Sequence, residues 1–317
     1  MKLKQRHRSL LRGIASFVPG IKGYILNRSR TGGTGTARYC YTVWLRHLVM
    51  AHKNGLNPYP KTVAELGPGD SIGIGLAALI SGCDKYYGFD IVDFTDNQRN
   101  ASIFDELVLL FQNRAPIPDE KDFPQVKPYL ESYAFPADIF DDDRLQQALD
   151  TSRLEKLRSA VLGKHIEDSP IQFQVPWYDI DVVKQTSVDM IYSQAVLEHV
   201  DELRNTYKIM RQWLKPEGFM SHQIDFGCHG TADEWNGHWT FSDFRWKLIV
   251  GGRPYLLNRK PHSAHISMLS QEGFRVVFDL PHRDVSNIKR RQLAPNFSSI
   301  TDDDLTIRGA FIQAVRQ

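Results

Sequence analysis

The stretch Val63-Ala64-Glu65-Leu66-Gly67-Pro68-Gly69-Asp70-Ser71 decides how the rest of this chain is read. A short apolar run, Val63 to Leu66, ends in a glycine-rich turn. An apolar helix-like stretch, Ile72 to Ile80, follows it, and a second short strand, Tyr86 to Phe89, ends at Asp90. Strand, turn, helix and strand at this spacing make a βαβ unit, so the sequence predicts a parallel sheet covered by helices.

Downstream, a helix is expected from about Gln98 to Asn113. Residues 114 to about 168 interrupt the alternation. They open with Pro116, Pro118, Pro124 and Pro128, turn acidic at Asp141-Asp142-Asp143, and become helical from Arg144 to Leu162. This reads as an insertion. Ile171–Val175 and Val188–Tyr192 are the third and fourth strands. Glu202–Leu214 is a helix stopped by Lys215-Pro216-Glu217-Gly218, and Phe219–Phe226 is the fifth strand. A segment rich in Trp, His and Gly, 227 to 261, separates it from a helix His262–Gln271. Strands Phe274–Leu280 and Thr306–Val315 are expected to pair antiparallel and close one sheet edge.

Upstream, residues 1 to 62 read as a basic, helical extension with a Gly/Thr loop at Thr31 to Thr36. No Asp or Glu precedes Glu65, whereas twelve Lys and Arg do (Lys2, Lys4, Arg6, Arg8, Arg12, Lys22, Arg28, Arg30, Arg38, Arg46, Lys53, Lys61). The net charge of +2 therefore hides a remainder of net −10. The apolar stretch Leu10 to Leu26 is broken by Arg12, Pro19 and Lys22, which speaks against a secretory signal. A mitochondrial presequence, a solvated extension and an arm that lies on an anionic membrane surface stay open. Nucleic acid is not an expected partner, because no nucleic-acid module accompanies the charge.

The chain has 317 residues, 42% of them apolar and 24% charged, enough for a sizeable core and ordinary for a globular protein. Cys40, Cys83 and Cys228 are three cysteines without paired spacing. They argue against a disulfide scaffold or a cysteine zinc site and suit a reducing compartment, so the cytoplasm is the expected location.

A glycine turn leaving a strand lets backbone approach a ligand and exposes helix N–H groups. The sixth position of the would-be Gly-x-Gly-x-x-Gly is Ile72, and no Gly-Lys-Ser/Thr follows, so neither dinucleotide fingerprint nor P-loop is present. A tight turn in an unrelated α/β protein is the alternative. Asp90 closes the second strand about 20 residues later, where an acid can accept both ribose hydroxyls. A lone strand-end Asp is otherwise a turn or cap residue.

The run Ser187-Val188-Asp189-Met190-Ile191-Tyr192-Ser193-Gln194-Ala195-Val196-Leu197-Glu198-His199-Val200, with Leu214-Lys215-Pro216-Glu217-Gly218, resembles the class I S-adenosylmethionine-dependent methyltransferases. The resemblance spans about Val63 to Val315. It implies a Rossmann-like, doubly wound, mostly parallel seven-stranded sheet with an antiparallel last strand, and S-adenosylmethionine as cofactor. It implies that Glu65, Gly67, Pro68 and Gly69 wrap the methionine part of the cofactor, that Asp90 binds ribose, and that Ser193 and Gln194 lie against the cofactor. Ser71 stands where the family often has a third glycine, with Gly73 or Gly75 as substitutes. No motif for adenine is recognisable, and Pro176, Trp177 and Tyr178 occupy its region.

The acceptor is expected in the segment 227 to 261, which carries His229, His238, Trp235, Trp239, Phe241, Phe244 and Trp246 and reads as a lid. An alcohol acceptor needs a base, and histidine is best matched near neutral pH. His229 is the expected base, Asp225 its orienting partner and His222 the backup. His222 and Asp225 differ in parity and would face opposite sides of a regular strand. A hydrogen-bonded structural histidine is the alternative for each, and no metal is assigned, though His and Asp together would allow one. Glu198 and His199 read as structural. The segment from Trp239 through Asn258-Arg259 to Leu269 looks like methyltransferases of bacterial polysaccharide clusters, which implies a sugar or glycan hydroxyl as acceptor. A natural product or lipid acceptor, a scaffold that only holds the cofactor, and a dinucleotide oxidoreductase are the alternatives.

Overall fold

The computed structural model describes residues 5–18, 33–163, 168–177, 180–253 and 256–317. Lys2, Lys4, Lys22, Arg28 and Arg30 of the basic arm, its apolar stretch beyond residue 18, the first two residues of the Gly/Thr loop, and Tyr178 lie outside the described residues.

The core is one seven-stranded sheet. Strands β1 (Thr62–Leu66), β2 (Lys85–Phe89), β3 (Ile171–Gln174), β4 (Val188–Gln194), β5 (Leu214–Asp225), β6 (Phe274–Arg283) and β7 (Ile307–Arg316) lie in the order β3-β2-β1-β4-β5-β7-β6. β1 to β5 pair in parallel, and β7 runs antiparallel between β5 and β6. The expected late antiparallel pair is present, but β7 inserts beside β5 and leaves β6 as the edge. The order reverses between β1 and β4, so ligands are expected outside the carboxyl ends of these strands.

The βαβ unit forms as the sequence predicts, with α3 (Gly73–Ile80) between β1 and β2. Every residue of α3 is buried, consistent with an apolar stretch covering the sheet. β5 begins five residues earlier than expected, because Lys215 to Gly218 continue the strand instead of ending outside it. The helix expected over Arg144–Leu162 is two helices, α5 (Asp142–Ala148) and α6 (Thr151–Val161). Asp150 breaks it: its carboxylate accepts from the Arg153 N–H at 3.0 Å and caps a new helix instead of continuing the old one.

The boundary expected at residue 62 is not a boundary in packing. Helix α2 (Ala37–Lys53) carries twelve buried residues, among them Tyr41, Trp44 and Leu48, and shares one core with α3 and α4 (Asn97–Gln112). The insertion closes over it. Arg46 of α2 is buried and donates from Nη1 to the carbonyls of Val126 (2.6 Å) and Pro128 (3.0 Å), and from Nη2 to that of Pro118 (3.0 Å). The second face of the sheet is covered by α7 (Leu203–Trp213) and α9 (His262–Gln271).

The segment 227 to 261 has its own small core. Cys228, Ala232, Phe241, Trp246, Ile249 and Leu257 pack together around α8 (Asp243–Val250), and Trp239 is fully buried nearby. Of the expected lid aromatics, Phe244 stands out to solvent. Helix α1 (Gln5–Ala15) docks on α8, where Gly13 lies against the Ile249 carbonyl. Its outer side, with the turn that follows, exposes Leu11, Ile14, Phe17 and Val18 beside Arg8 and Arg12. No helix among the described residues is long and apolar enough to cross a membrane.

Candidate active site

The glycine turn sits at the carboxyl end of β1. Gly67 and Gly69 have φ of 64° and 74°, the left-handed region that glycine enters without a Cβ penalty. The Gly67 N–H donates to the Phe89 carbonyl at 2.8 Å, which closes the turn onto β2. A Cβ on Gly67 would come within 2.6 Å of Val196, so the turn after β4 presses directly on the turn after β1. Ser71 donates to the Thr34 carbonyl, and its N–H donates to the Thr34 hydroxyl at 3.1 Å. The chain ahead of α2 thus fixes the glycine turn. Gly73 and Gly75 do not replace a third ligand-facing glycine: a Cβ on Gly73 would strike Cys40 of α2, and one on Gly75 the ring of Tyr86.

Asp90 follows β2 and is 9% exposed. Its Oδ1 accepts from the Ile91 N–H at 2.7 Å, and its Oδ2 from the Gly69 N–H at 3.1 Å. Burial raises the carboxyl above its ordinary range against the opposing pull of these N–H groups. A carboxylate has about four acceptor directions, so this one has capacity left for a ligand hydroxyl. Trp177 reaches the same place by donating its N–H to the Asp90 carbonyl at 3.2 Å. A left-handed glycine turn beside a part-buried acid fits the methionine and ribose parts of S-adenosylmethionine.

Two residues implied as cofactor contacts have other work. Glu65 is buried on the α2 side of β1, and its Oε2 accepts from the hydroxyls of Tyr86 (2.8 Å) and Tyr192 (3.2 Å). It ties β1 to both neighbouring strands, and burial pushes its carboxyl up to about 8. Ser193 is fully buried, and its hydroxyl shares a hydrogen bond with His222 Nδ1 at 2.8 Å. Gln194 is the last residue of β4. Its Nε2 donates to Gln223 Oε1 at 3.3 Å, while its own Oε1 is buried without a partner.

The same contact removes His222 from the acceptor region. It is 1% exposed, and burial, with His47 and His265 nearby, pushes it down to about 3. A sealed, neutral imidazole cannot exchange a proton with an incoming acceptor. His238 is likewise buried and pushed down to about 3, first by burial.

Asp225 and His229 do come together. Asp225 ends β5, and its Oδ2 lies 3.2 Å from His229 Nε2. Burial works to raise Asp225, but the His229 ring, the Gly227 N–H (2.7 Å to Oδ1) and Arg308 hold it below its ordinary range. His229 holds a φ of 45°, uncommon outside glycine, and is followed by Gly230 at 72°.

Glu198 and His199, which the sequence suggests are structural, lie beside the Asp225–His229 pair. The one-turn helix Leu197–His199 brings the His199 ring to 5.0 Å from that of His229, centroid to centroid. Glu198 is buried, and burial raises its carboxyl well above the ordinary range. Asn258 holds this turn. Its Nδ2 donates to the carbonyls of Leu197 (2.8 Å) and Val200 (2.9 Å), and its N–H donates to the Glu198 carbonyl at 2.8 Å. Nothing in the sequence marks Asn258 as the partner of a turn some sixty residues earlier.

A family described as a methyltransferase domain matches residues 149–221, which include β3, β4 and the Leu197–His199 turn. The sequence matches no curated protein. Among solved structures, an S-adenosylmethionine-dependent methyltransferase from Mesorhizobium loti is similar at 13% identity and a TM-score of 0.41, over 90% of this chain and 100% of that one. A phosphoethanolamine N-methyltransferase 2 from Haemonchus contortus, in complex with S-adenosyl-L-methionine, is similar at 13% identity and a TM-score of 0.41. That match covers 92% of this chain and 59% of that one. At these values the likeness adds nothing to the sheet order already described. The domain match covers a minority of the chain, and the sheet order and the glycine turn beside Asp90 agree with it.

Proposed function

We propose that the chain methylates an acceptor hydroxyl on a sugar or glycan, at the carboxyl ends of β4 and β5. The Asp225–His229 pair carries this reading. It ends β5, one strand from the turn where Val196 touches Gly67. When bound, S-adenosylmethionine supplies a methyl group on a positively charged sulfur that leaves readily. Gly67, Gly69, Asp90 and Gln194 hold it, and the protein's remaining task is to align the acceptor and manage its proton.

With its Nε2–H donated to Asp225, His229 keeps a lone pair on Nδ1. That nitrogen takes the hydroxyl proton as the oxygen attacks, and Asp225 steadies the imidazolium that results. The half-exposed position of His229, on a left-handed turn, supports access to a bulky acceptor. The sequence likeness over Trp239 to Leu269 favours a sugar over a natural product or lipid. The exposed apolar and arginine side of α1 supports contact with an anionic membrane close to this segment.

The test is a screen of sugar nucleotides and glycans with S-adenosylmethionine, read by the mass gain of the acceptor. On the acceptor found, His229→Ala lowers turnover about 10²–10⁴-fold with cofactor affinity nearly intact. Full turnover in that variant removes the base, and a screen positive only for amines or lipids overturns the acceptor class. Cofactor binding without transfer to any acceptor favours the scaffold reading.

A further inference from the structure

The turn after β4 and the loop after β5 converge on three side chains of metal-ligating type. Glu198, His199 and His229 each offer one ligand atom, and these atoms all lie within 4.8 Å of one another. We propose that Glu198, His199 and His229 form a binding site for a divalent transition-metal ion at the mouth of the acceptor region.

Ligand bonds of about 2.0–2.2 Å place the donors around one ion roughly 3–4 Å apart, so closure needs only small side-chain shifts. The burial of Glu198 points the same way. It is 3% exposed, and neither carboxylate oxygen has a hydrogen-bond partner. The backbone N–H groups of Glu198 and Asp225 lie near enough to favour its charged form without making hydrogen bonds of good geometry. A carboxylate taken out of water is costly unless it is paired or coordinates a metal.

The support around the three residues is that of a metal site. Ligating histidines typically give their second nitrogen to a carboxylate, which fixes the ring. Asp225 stands in that relation to His229, at 3.2 Å. Asn258 holds the turn that carries the other two ligands. Two imidazoles with one carboxylate suit manganese, iron, cobalt or zinc better than magnesium or calcium. Three protein ligands also leave coordination positions open, as catalytic sites require.

The use of the ion rests on the hydroxyl-methylation reading; the binding site does not. A hydroxyl bound at an open position gives up its proton more readily, because the ion stabilises the developing oxyanion. The oxygen lone pair then forms the new carbon–oxygen bond, the carbon–sulfur bond breaks with its pair left on sulfur, and the proton passes to solvent. In that state His229 acts as a ligand and the ion replaces it in activating the acceptor.

The experiment uses the full chain, stripped with a chelator and dialysed. Manganese chloride is titrated in and read by loss of the free-ion electron paramagnetic resonance signal, and zinc chloride by calorimetry. The expected result is saturation at one ion per chain, weakened at least tenfold in Glu198→Gln and in His229→Ala. S-adenosylmethionine titration serves as the fold control and changes little in either variant. Should Glu198→Gln fail to fold, His229→Ala on its exposed loop decides. No saturable binding by the unaltered chain, or equal binding in the folded variants, overturns the site. Saturable binding without methyl transfer to any hydroxyl sustains the site and overturns the proposed function. Hydroxyl methylation that survives chelation, with no saturable binding, does the reverse.

Discussion

Gly67→Ala separates two costs that meet at one carbon. The residue holds a φ of 64°, and an alanine there pays about 1–2 kcal/mol for the left-handed backbone. The added Cβ would also lie 2.6 Å from one Val196 methyl carbon and 2.8 Å from the other. Overpacking of that kind costs about 1–3 kcal/mol, and a β-branched valine has few χ1 states into which it can yield. The single variant should therefore lose about 2–5 kcal/mol of unfolding free energy. Val196→Ala, at a half-buried position, should cost about 1 kcal/mol by itself. In the double variant the steric part disappears and the backbone part stays, so the pair should couple favourably by about 1–3 kcal/mol. Urea unfolding of the four proteins measures the cycle, with tryptophan fluorescence as the probe. Calorimetry with S-adenosylmethionine follows the site in parallel, and affinity should recover only in part in the double variant. Additivity within about 0.5 kcal/mol would show that the turns after β1 and β4 do not press on each other.

Asp90→Ala should weaken S-adenosylmethionine binding by about 1.5–3 kcal/mol, the worth of hydrogen bonds to a charged group. An unchanged calorimetric titration in the folded variant would remove Asp90 from the site. Glu65 makes stability fall as pH rises: its carboxyl stays protonated in the folded chain up to about 8, while in the unfolded chain it ionises near 4.5. Between those limits the folded state binds more protons, and the loss is up to about 1.4 kcal/mol per pH unit. Glu65→Gln keeps an acceptor for Tyr86 and Tyr192 and should flatten melting temperature against pH over that window; a slope equal to that of the unaltered chain counts against the buried acid. Binding of the full chain to anionic vesicles should weaken as salt is added, since exposed arginines on α1 are screened. Equal co-sedimentation with neutral and anionic vesicles would exclude the electrostatic contact.

The parts of this protein legible in the sequence are those set by local pattern. Short apolar runs that end in Gly67 and Asp90 mark β1 and β2, and the helix between them is marked by unbroken apolar residues, because burial on both faces of a parallel sheet leaves that signature. The break at Asp150 was also written locally, as an acid three residues ahead of Arg153, but a helical pattern on both sides masks a cap. What the tertiary structure alone decided is where each polar side chain ends. Ser193 and Gln194 are neighbours in one motif, yet strand alternation buries the first against His222 and sends the second to the other face, against Gln223. The sequence resemblance places Glu65 in a cofactor motif, but two tyrosines from flanking strands claim its carboxylate. Glu198 and His199 are adjacent, and His229 lies about thirty residues further along the chain, beyond a helix and a strand. They meet because parallel pairing of β4 and β5 brings two strand ends together, and such a meeting has no period that a single sequence can display.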